Sequence, residues 1–406
     1  MTTAPTPNVR FLDRSTPPHI LTLILVAGIS ALNMSIFLPS LHHMALFFQT
    51  DYAVMQLAVS GYLAATALIQ VAVGPISDRF GRRPVVIGAL AVFVLATVGA
   101  LFTSNIWVFL AFRMVQSVVA VGIVLSRAIV RDMVPANQAA SMIGYVTMGM
   151  ALVPMVGPMI GGGLDQLFGW QAVFVLLAVA GAGVLALVVA DQGETLAGSG
   201  MSFRAQFAGY PHLLGSRRFW GYVLCAAFGS GAFFALLGGA SFVAGEVFGL
   251  SPLWTGLALG TPAIGYAFGN FISGRYSVRV GLNRMALLGT LAASGGMVLS
   301  IMLTLAGLVH PVAFFGCCIF LGFGNGMMLP NATSGSLFVR PELAGTASGL
   351  GGAIMIGGGA ALSALSGTLL TAETGTMPLQ LIMLATSVLA AVAIGFVMWR
   401  ERQLGL

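Results

Sequence analysis

Arg113 is the residue whose chemistry needs explaining first. It stands in R-M-V-Q-S, inside the apolar run Ile106–Val130. A guanidinium at membrane depth costs roughly 3 kcal/mol or more by insertion scales, so such groups face a polar cavity or a partner. One reading is a binding or coupling group. The other is a structural Arg bonding backbone carbonyls of a broken neighbouring helix. Arg127 lies 14 residues on, on nearly the same helical face, close enough to the helix end to snorkel into the cytoplasmic interface. A proton-coupled exchanger also needs a group whose charge differs between states, and Arg stays protonated. No Asp or Glu is expected within a hydrocarbon span. The nearest are Asp51 and Glu246, both at outer ends, which with Arg113 are the coupling candidates. His19, His42, His43, His212 and His310 are expected in loops or at span ends.

The elements that position these groups follow from composition. The 406 residues are 58% hydrophobic and 7% charged, with mean hydropathy +0.98. Soluble chains carry roughly 25% charged residues, so this is a polytopic membrane protein. The predicted fold is all-α and integral to the membrane. Twelve spans of about twenty residues each can cross a bilayer. They are about His19–Leu38, Tyr52–Val73, Pro84–Phe102, Ile106–Val130, Ala139–Leu164 and Trp170–Ala190. A second set is Phe219–Ala244, Pro252–Ile272, Arg284–Leu305, Pro311–Phe338, Leu343–Leu370 and Pro378–Trp399. Two pseudo-symmetric six-helix halves, 19–190 and 219–399, are joined by a linker at 191–218. Tails at 1–18 and 400–406 flank them.

Charge segregation supports this layout. With the N-terminus inside, cytoplasmic segments hold 15 of the 17 Arg, and the other two are Arg113 and Arg127. There is no Lys. Positive loops stay cytoplasmic, so the net charge of +6 needs no nucleic acid to explain it. Cys225, Cys317 and Cys318 all sit in apolar runs, which argues against a disulfide framework. We expect no cofactor, no metal, and a chain that works as a monomer. The stretch Gly74–Pro84, G-P-I-S-D-R-F-G-R-R-P, reads as a tight basic turn between spans 2 and 3. Gly74, Arg79 and Gly81 recur 200 residues later as Gly274, Arg279 and Gly281, which suggests duplication. Span 5 carries Pro154, Gly157, Pro158, Gly161 and Gly162. Its prolines remove backbone hydrogen bonds and its glycines permit close helix packing.

Several of these motifs resemble the major facilitator superfamily. Gly74–Pro84 looks like its loop signature, R-M-V-Q-S its span-4 motif, and P-M-V-G-P-M-I-G-G the span-5 motif of proton-driven antiporters. F-L-P-S-L at 37–41, G-W-Q-A-V-F at 169–174, E-T-L at 194–196 and S-F-V at 241–243 are similar to the bicyclomycin and chloramphenicol/florfenicol exporter branch. That branch usually has Asp four residues before the span-1 Pro; here the position is Ser35.

The resemblance implies a drug-exporting, alternating-access carrier of the inner membrane, with both termini cytoplasmic, protons as coupling ion and a lipophilic substrate. It implies a pocket between spans 1, 4, 7 and 10. Spans 1 and 4 would give Asn33, Met34, Phe37, Arg113 and Gln116. Span 7 would give Phe228, Phe233 and Phe234, and span 10 Phe323, Asn325, Met328 and Asn331. A cytoplasmic latch would use Gly74, Asp78, Arg79, Gly81, Arg82, Arg83, Arg131 and Asp132. In it Asp78 would face the N-terminus of span 11 near Leu343, favoured by the helix dipole. The alternatives are an importer or facilitator without proton antiport, and a membrane-embedded enzyme using G-S-G at 229–231. The last lacks an intramembrane His or Lys as base.

Overall fold

A computed structural model describes residues 9–134, 142, 146, 153, 156–196, 210–340, 344–371 and 373–405. The described secondary structure is helical. With no water in a bilayer, a spanning segment must satisfy its own backbone groups, which helices do. Ten helical stretches among the described residues are long and apolar enough to cross a membrane. Span 8 forms the helix Pro252–Val280, which is not one of the ten and carries Arg275 and Arg279 towards its end. Span 5 is described mainly from Val156 onward, as helix to Phe168; Pro154 lies outside the described residues.

Two boundaries differ from expectation. Span 1 does not end at Leu38. Helix Ile20–Ser35 passes through a 3-10 turn at Leu38–Ser40 into a further helix, Leu41–Phe47. His42 and His43 therefore sit on helix rather than in a loop. Pro39 lies in the first turn of that new segment, where its missing N–H costs nothing. The second correction concerns Gly74–Pro84. Helix Leu57–Phe80 runs through Gly74, Asp78 and Arg79, and helix Arg82–Leu101 starts directly after Gly81. The break is one residue, Gly81, at φ 91° and ψ 154°. Gly281 makes the same break between Pro252–Val280 and Leu282–Leu305, at φ 90° and ψ 146°. Positive φ is open to Gly at little cost, so the two turns repeat in geometry as well as in sequence.

Small residues set how closely the helices approach. A Cβ on Gly265 would strike the Ile319 carbonyl, one on Gly322 the Pro262 carbonyl, and one on Gly289 the Gly324 carbonyl. Backbone thus lies directly on backbone where spans 8 and 9 meet span 10, the contact that drives association without a hydrophobic gradient.

Two acidic groups close the Arg-rich end of the first half. Asp191, fully buried at the end of helix Gln171–Asp191, accepts from Leu12 N–H (2.7 Å), His19 N–H (2.9 Å) and the Thr22 hydroxyl (2.6 Å). It ties the N-terminal segment and the start of span 1 to span 6. Glu194 accepts from the Arg82 and Arg83 backbone N–H groups at 2.9 and 3.2 Å, covering the N-terminus of span 3. Burial pushes its carboxyl up, but the backbone N–H groups of Leu196, Arg82, Arg83 and Thr195 outweigh that and hold it below its ordinary value.

These contacts generate two expectations. Asp191→Ala leaves three donors unpartnered; at ~1.5–3 kcal/mol for a hydrogen bond to a charged group, it lowers thermal stability by a few kcal/mol. It also speeds proteolysis beside Arg10 and Arg14. Unchanged melting and cleavage would contradict the tie. For Glu194, a depressed folded pKa means stabilisation present above the unfolded value and lost as pH falls through the folded one. Glu194→Gln therefore melts below wild type at neutral pH, and the gap closes as pH falls through the lowered folded value.

Candidate functional site

Arg113 is completely buried near the outer end of span 4. Its Nη1 donates to Asn33 Oδ1 at 2.9 Å and to Gln116 Oε1. Its Nη2 donates to the Asn33 carbonyl at 3.4 Å. The guanidinium carbon lies 4.2 Å from the Phe37 ring centroid and 4.8 Å from that of Tyr62. No described carboxylate forms an ion pair with it. Stabilisation comes instead from amide oxygens and two aromatic faces. A desolvated cation over a ring gains about 2 kcal/mol and a hydrogen bond to a charged group ~1.5–3 kcal/mol, enough to offset the insertion cost. Arg113 Nε and Asn33 Nδ2 are buried with no described partner.

The nest is held from behind. Gln116 Nε2 donates to the Thr97 hydroxyl (2.8 Å), which itself donates to the Phe93 carbonyl (2.7 Å). This fixes the amide so that its oxygen points at Arg113. Phe37 packs on Phe174 with centroids 6.3 Å apart, and Phe174 packs edge-on against Phe109 and Trp170 at 5.4 and 5.6 Å. Trp170 and Phe174 belong to the G-W-Q-A-V-F stretch, so that stretch braces the ring beneath the guanidinium. Span 4 itself changes register here: helix Ile106–Gln116 gives way to a 3-10 turn at Ser117–Ala120 before helix Val121–Met133. A 3-10 stretch inside a helix marks hinges and strained segments.

Asn33, Phe37, Arg113 and Gln116 are therefore brought together as expected, and half-buried Met34 packs against the same core. The second-half pocket candidates do not gather around Arg113. Asn331 donates to Ser273 of span 8 and to the Met327 carbonyl. Met328 and Phe228 pack in a separate cluster with Tyr222, Cys225 and Ile394, facing spans 9 and 12. Phe234 lies where a Cβ on Gly359 of span 11 would be. Backbone of Phe323 lies against Gly265 and Gly269 of span 8, and half-buried Phe233 packs on the main core. Asn325 is buried beside Met328, near Gly229. The cause is sequence degeneracy: an apolar residue on an all-apolar helix carries no mark of which neighbour it faces.

The coupling and latch candidates also resolve. Asp51 is exposed at the start of Tyr52–Met55, with no side-chain cap bond. Glu246 pairs with His42 at 2.9 Å. Ser35 is buried, donates to Ala31 of its own helix, and sits where a Cβ on Gly157 would touch it. Asp78 pairs with Arg82 at 2.5 Å, and Arg82 with Asp132 at 3.0 Å. That ionic cluster stays within the first half, so Asp78 does not stand alone towards span 11; Leu343 lies outside the described residues. Arg83 donates to the Val189 carbonyl at 3.1 Å, Arg79 stacks beside Phe80, and Arg131 is exposed. The second half has its own ionic cluster at the Arg-rich end, where Arg218 pairs with Glu401 at 2.6 Å beside a cavity of about 470 Å3.

The halves meet at the end that the Arg distribution places outside. Gln56 Nε2 donates to Ser363 Oγ at 2.8 Å, the Tyr52 hydroxyl to the Gly238 carbonyl at 3.2 Å, and the Ser241 hydroxyl to the Leu38 carbonyl. A Cβ on Gly162 would strike the Pro252 carbonyl, and one on Gly256 the Pro158 carbonyl. Spans 5 and 8 therefore touch backbone to backbone, through residues of the span-5 motif. Sequence reasoning missed Tyr62, Thr97, Gln56, Asp165 and Glu194 as site or gate residues. Only the polar Gln56 inside an apolar run offered a signal.

These contacts supply a test. Gly162→Leu puts a side chain where Pro252 lies, so it forces the outer end apart. Cysteines at the outer ends of spans 5 and 8 then cross-link less in the variant; equal cross-linking would contradict the packing.

Residues 23–364 match the family model of the Major Facilitator Superfamily. The chain is 30% identical over 371 residues to multidrug resistance protein D of Escherichia coli K12, covering 90% of this chain and 91% of that one. It is 29% identical to a chloramphenicol resistance protein of Pseudomonas aeruginosa, covering 80% and 79%. Among solved structures, an inward-facing, occupied bacterial homolog of the human lysosomal transporter Spinster superposes with a TM-score of 0.71 at 18% identity. That match covers 94% of this chain and 96% of that one. Its fold, its spans and this match over most of its length place the chain in the Major Facilitator Superfamily, as a multi-pass membrane transporter and not an enzyme.

Proposed function

We propose that this transporter exports small lipophilic molecules, uncharged or anionic, across a bacterial inner membrane by alternating access of two six-helix halves. One observation carries the reading: the Arg113 nest. A buried cation ringed by amides and aromatic faces, with no described partner on Arg113 Nε, offers a donor to a ligand oxygen. With no carboxylate opposite, it disfavours cationic ligands, which would meet like charge. Mostly apolar walls with a few placed polar groups are the common make-up of small-molecule sites. The resistance proteins among its relatives support export as the direction. The distribution of Arg supports cytoplasmic termini. Hydrogen bonds between halves at the outer end, with the described cytoplasmic ion pairs confined within each half, suit a carrier closed outward.

Proton antiport is part of the proposal, with the chain acting as a monomer. The competing reading, a facilitator without antiport, is favoured by one observation: Ser35 bonds its own helix where the branch usually has a carboxylate. Inside-out vesicles separate the two. Chloramphenicol and a panel of neutral, anionic and cationic drugs are offered with a proton gradient imposed or collapsed. Antiport predicts uptake that falls when the gradient collapses, and the facilitator reading predicts uptake that ignores it.

The same assay tests the nest. Arg113→Ala loses hydrogen bonds worth ~1.5–3 kcal/mol each, so uptake falls about tenfold or more. Arg113→Lys keeps charge but not the planar fork and falls between. Wild-type uptake by well-folded Arg113→Ala would end the assignment.

A further inference from the structure

At the outer end four ionisable groups form a line that crosses from one half to the other. Glu246 Oε1 lies 2.9 Å from His42 Nδ1, and His43 Nδ1 lies 3.1 Å from Asp165 Oδ2. The two imidazole centroids are 6.2 Å apart. His42 and His43 ride on helix Leu41–Phe47 of span 1, Asp165 ends span 5, and Glu246 belongs to span 7. The His42–Glu246 contact is the ion pair between halves among the described residues.

Three further features single out this line. Glu246 sits in a five-residue π-helical turn, Val243–Val247, a distortion that recurs at functional sites. Asp165 has a side chain only 1% exposed, and His43 is its ionisable neighbour among the described residues. A buried carboxylate is stable only beside a compensating charge, which His43 supplies when protonated. A cavity of about 20 Å3, room for one water, is lined by His42, His43, Ser241 and Gly245. Among the described residues, the remaining ionisable groups on the packed elements are Asp51 and Tyr52 at the start of span 2. Span 8 contributes Pro252 and Thr255, neither titratable.

We propose that His42 and Glu246 are a proton-dependent latch on the outer gate, with His43–Asp165 as its support. This rests on the alternating-access reading above and adds the residues through which external pH biases the cycle. Imidazole is the side chain whose ordinary titration falls in the physiological range. A neutral imidazole still makes the 2.9 Å contact, but only the protonated one attracts the carboxylate as an ion pair. The sign follows. Protons arriving from outside charge His42 and hold the halves together outward. As pH rises the charge is lost, the pair weakens and the outer end opens. A mid-span carboxylate is not needed for this step.

Spin labels on Leu46→Cys and Trp254→Cys read the gate, since both positions are exposed and lie on opposite halves. The native cysteines are buried, and labelling of the unsubstituted chain is the blank. Distances are measured in proteoliposomes from pH 5.5 to 8.5. The latch predicts a short distance at the acid end and a growing long component towards pH 8.5. Glu246→Gln and His42→Gln each abolish that response, Glu246→Asp restores it, and Asp165→Asn shifts its midpoint to lower pH. A pH-independent wild-type distance, or a wild-type midpoint in Glu246→Gln, overturns the latch. Uptake by the same samples keeps the two readings apart. Gradient-driven uptake with a pH-blind gate removes the latch alone. A pH-driven gate without uptake of any drug removes the export reading alone.

Discussion

A guanidinium sealed among amides and aromatic rings, with no carboxylate paired to it, is the constraint from which the rest of the first half follows. Removing Arg113 from water is costly, and each neighbouring element contributes to offsetting that cost. Span 1 supplies Asn33 and Phe37, span 2 supplies Tyr62, and span 3 supplies Thr97, which aims Gln116. The Trp170–Phe174–Phe109 cluster holds Phe37 in place. A charge balanced by dipoles and quadrupoles, not by another charge, remains available to an incoming anion or carbonyl. In the proposed function, that turns a stability problem into a binding group.

The two ends of the molecule are built by different physics. At the end where His42 meets Glu246 the halves are joined across the seam by that pair, by hydrogen bonds and by glycine-lined backbone contacts, most of them short-range forces that vanish over a small displacement. At the Arg-rich end ionic clusters gather within each half: Asp78, Arg82 and Asp132 in one, Arg218 and Glu401 in the other. Such clusters stiffen each half as a body without tying it to its partner. A rigid body closed at one end by breakable contacts is what alternating access requires. The left-handed turns at Gly81 and Gly281 show the same device used twice.

Much of this was open to sequence reasoning, and the reasons for the rest are specific. The spans and the need of Arg113 for polar neighbours follow from solvation costs, which depend on residue type alone. Span 10 starts and stops where hydropathy places it, at Pro311 and Phe338. The helix past Gly74 was hidden because a polar segment at the membrane edge loses its apolar signal while remaining helical. The helix after Pro39 was hidden because Pro reads as a stop, although it is tolerated at a helix start. Asp165 looked like a loop residue, and only the fold shows it buried. The neighbours of the second-half pocket candidates were hidden for a different reason. Phe228, Met328 and Asn331 sit on spans apolar all round, where composition cannot say which neighbour each side chain faces.

The account stands on Arg113 acting as a ligand group. The most direct test is a structure of the protein in lipid nanodiscs with chloramphenicol bound. The account predicts ligand density within hydrogen-bonding distance of Arg113, Asn33 or Gln116, against the Phe37 and Tyr62 rings. Ligand seated wholly in the second half, with the Arg113 nest unchanged, would contradict it.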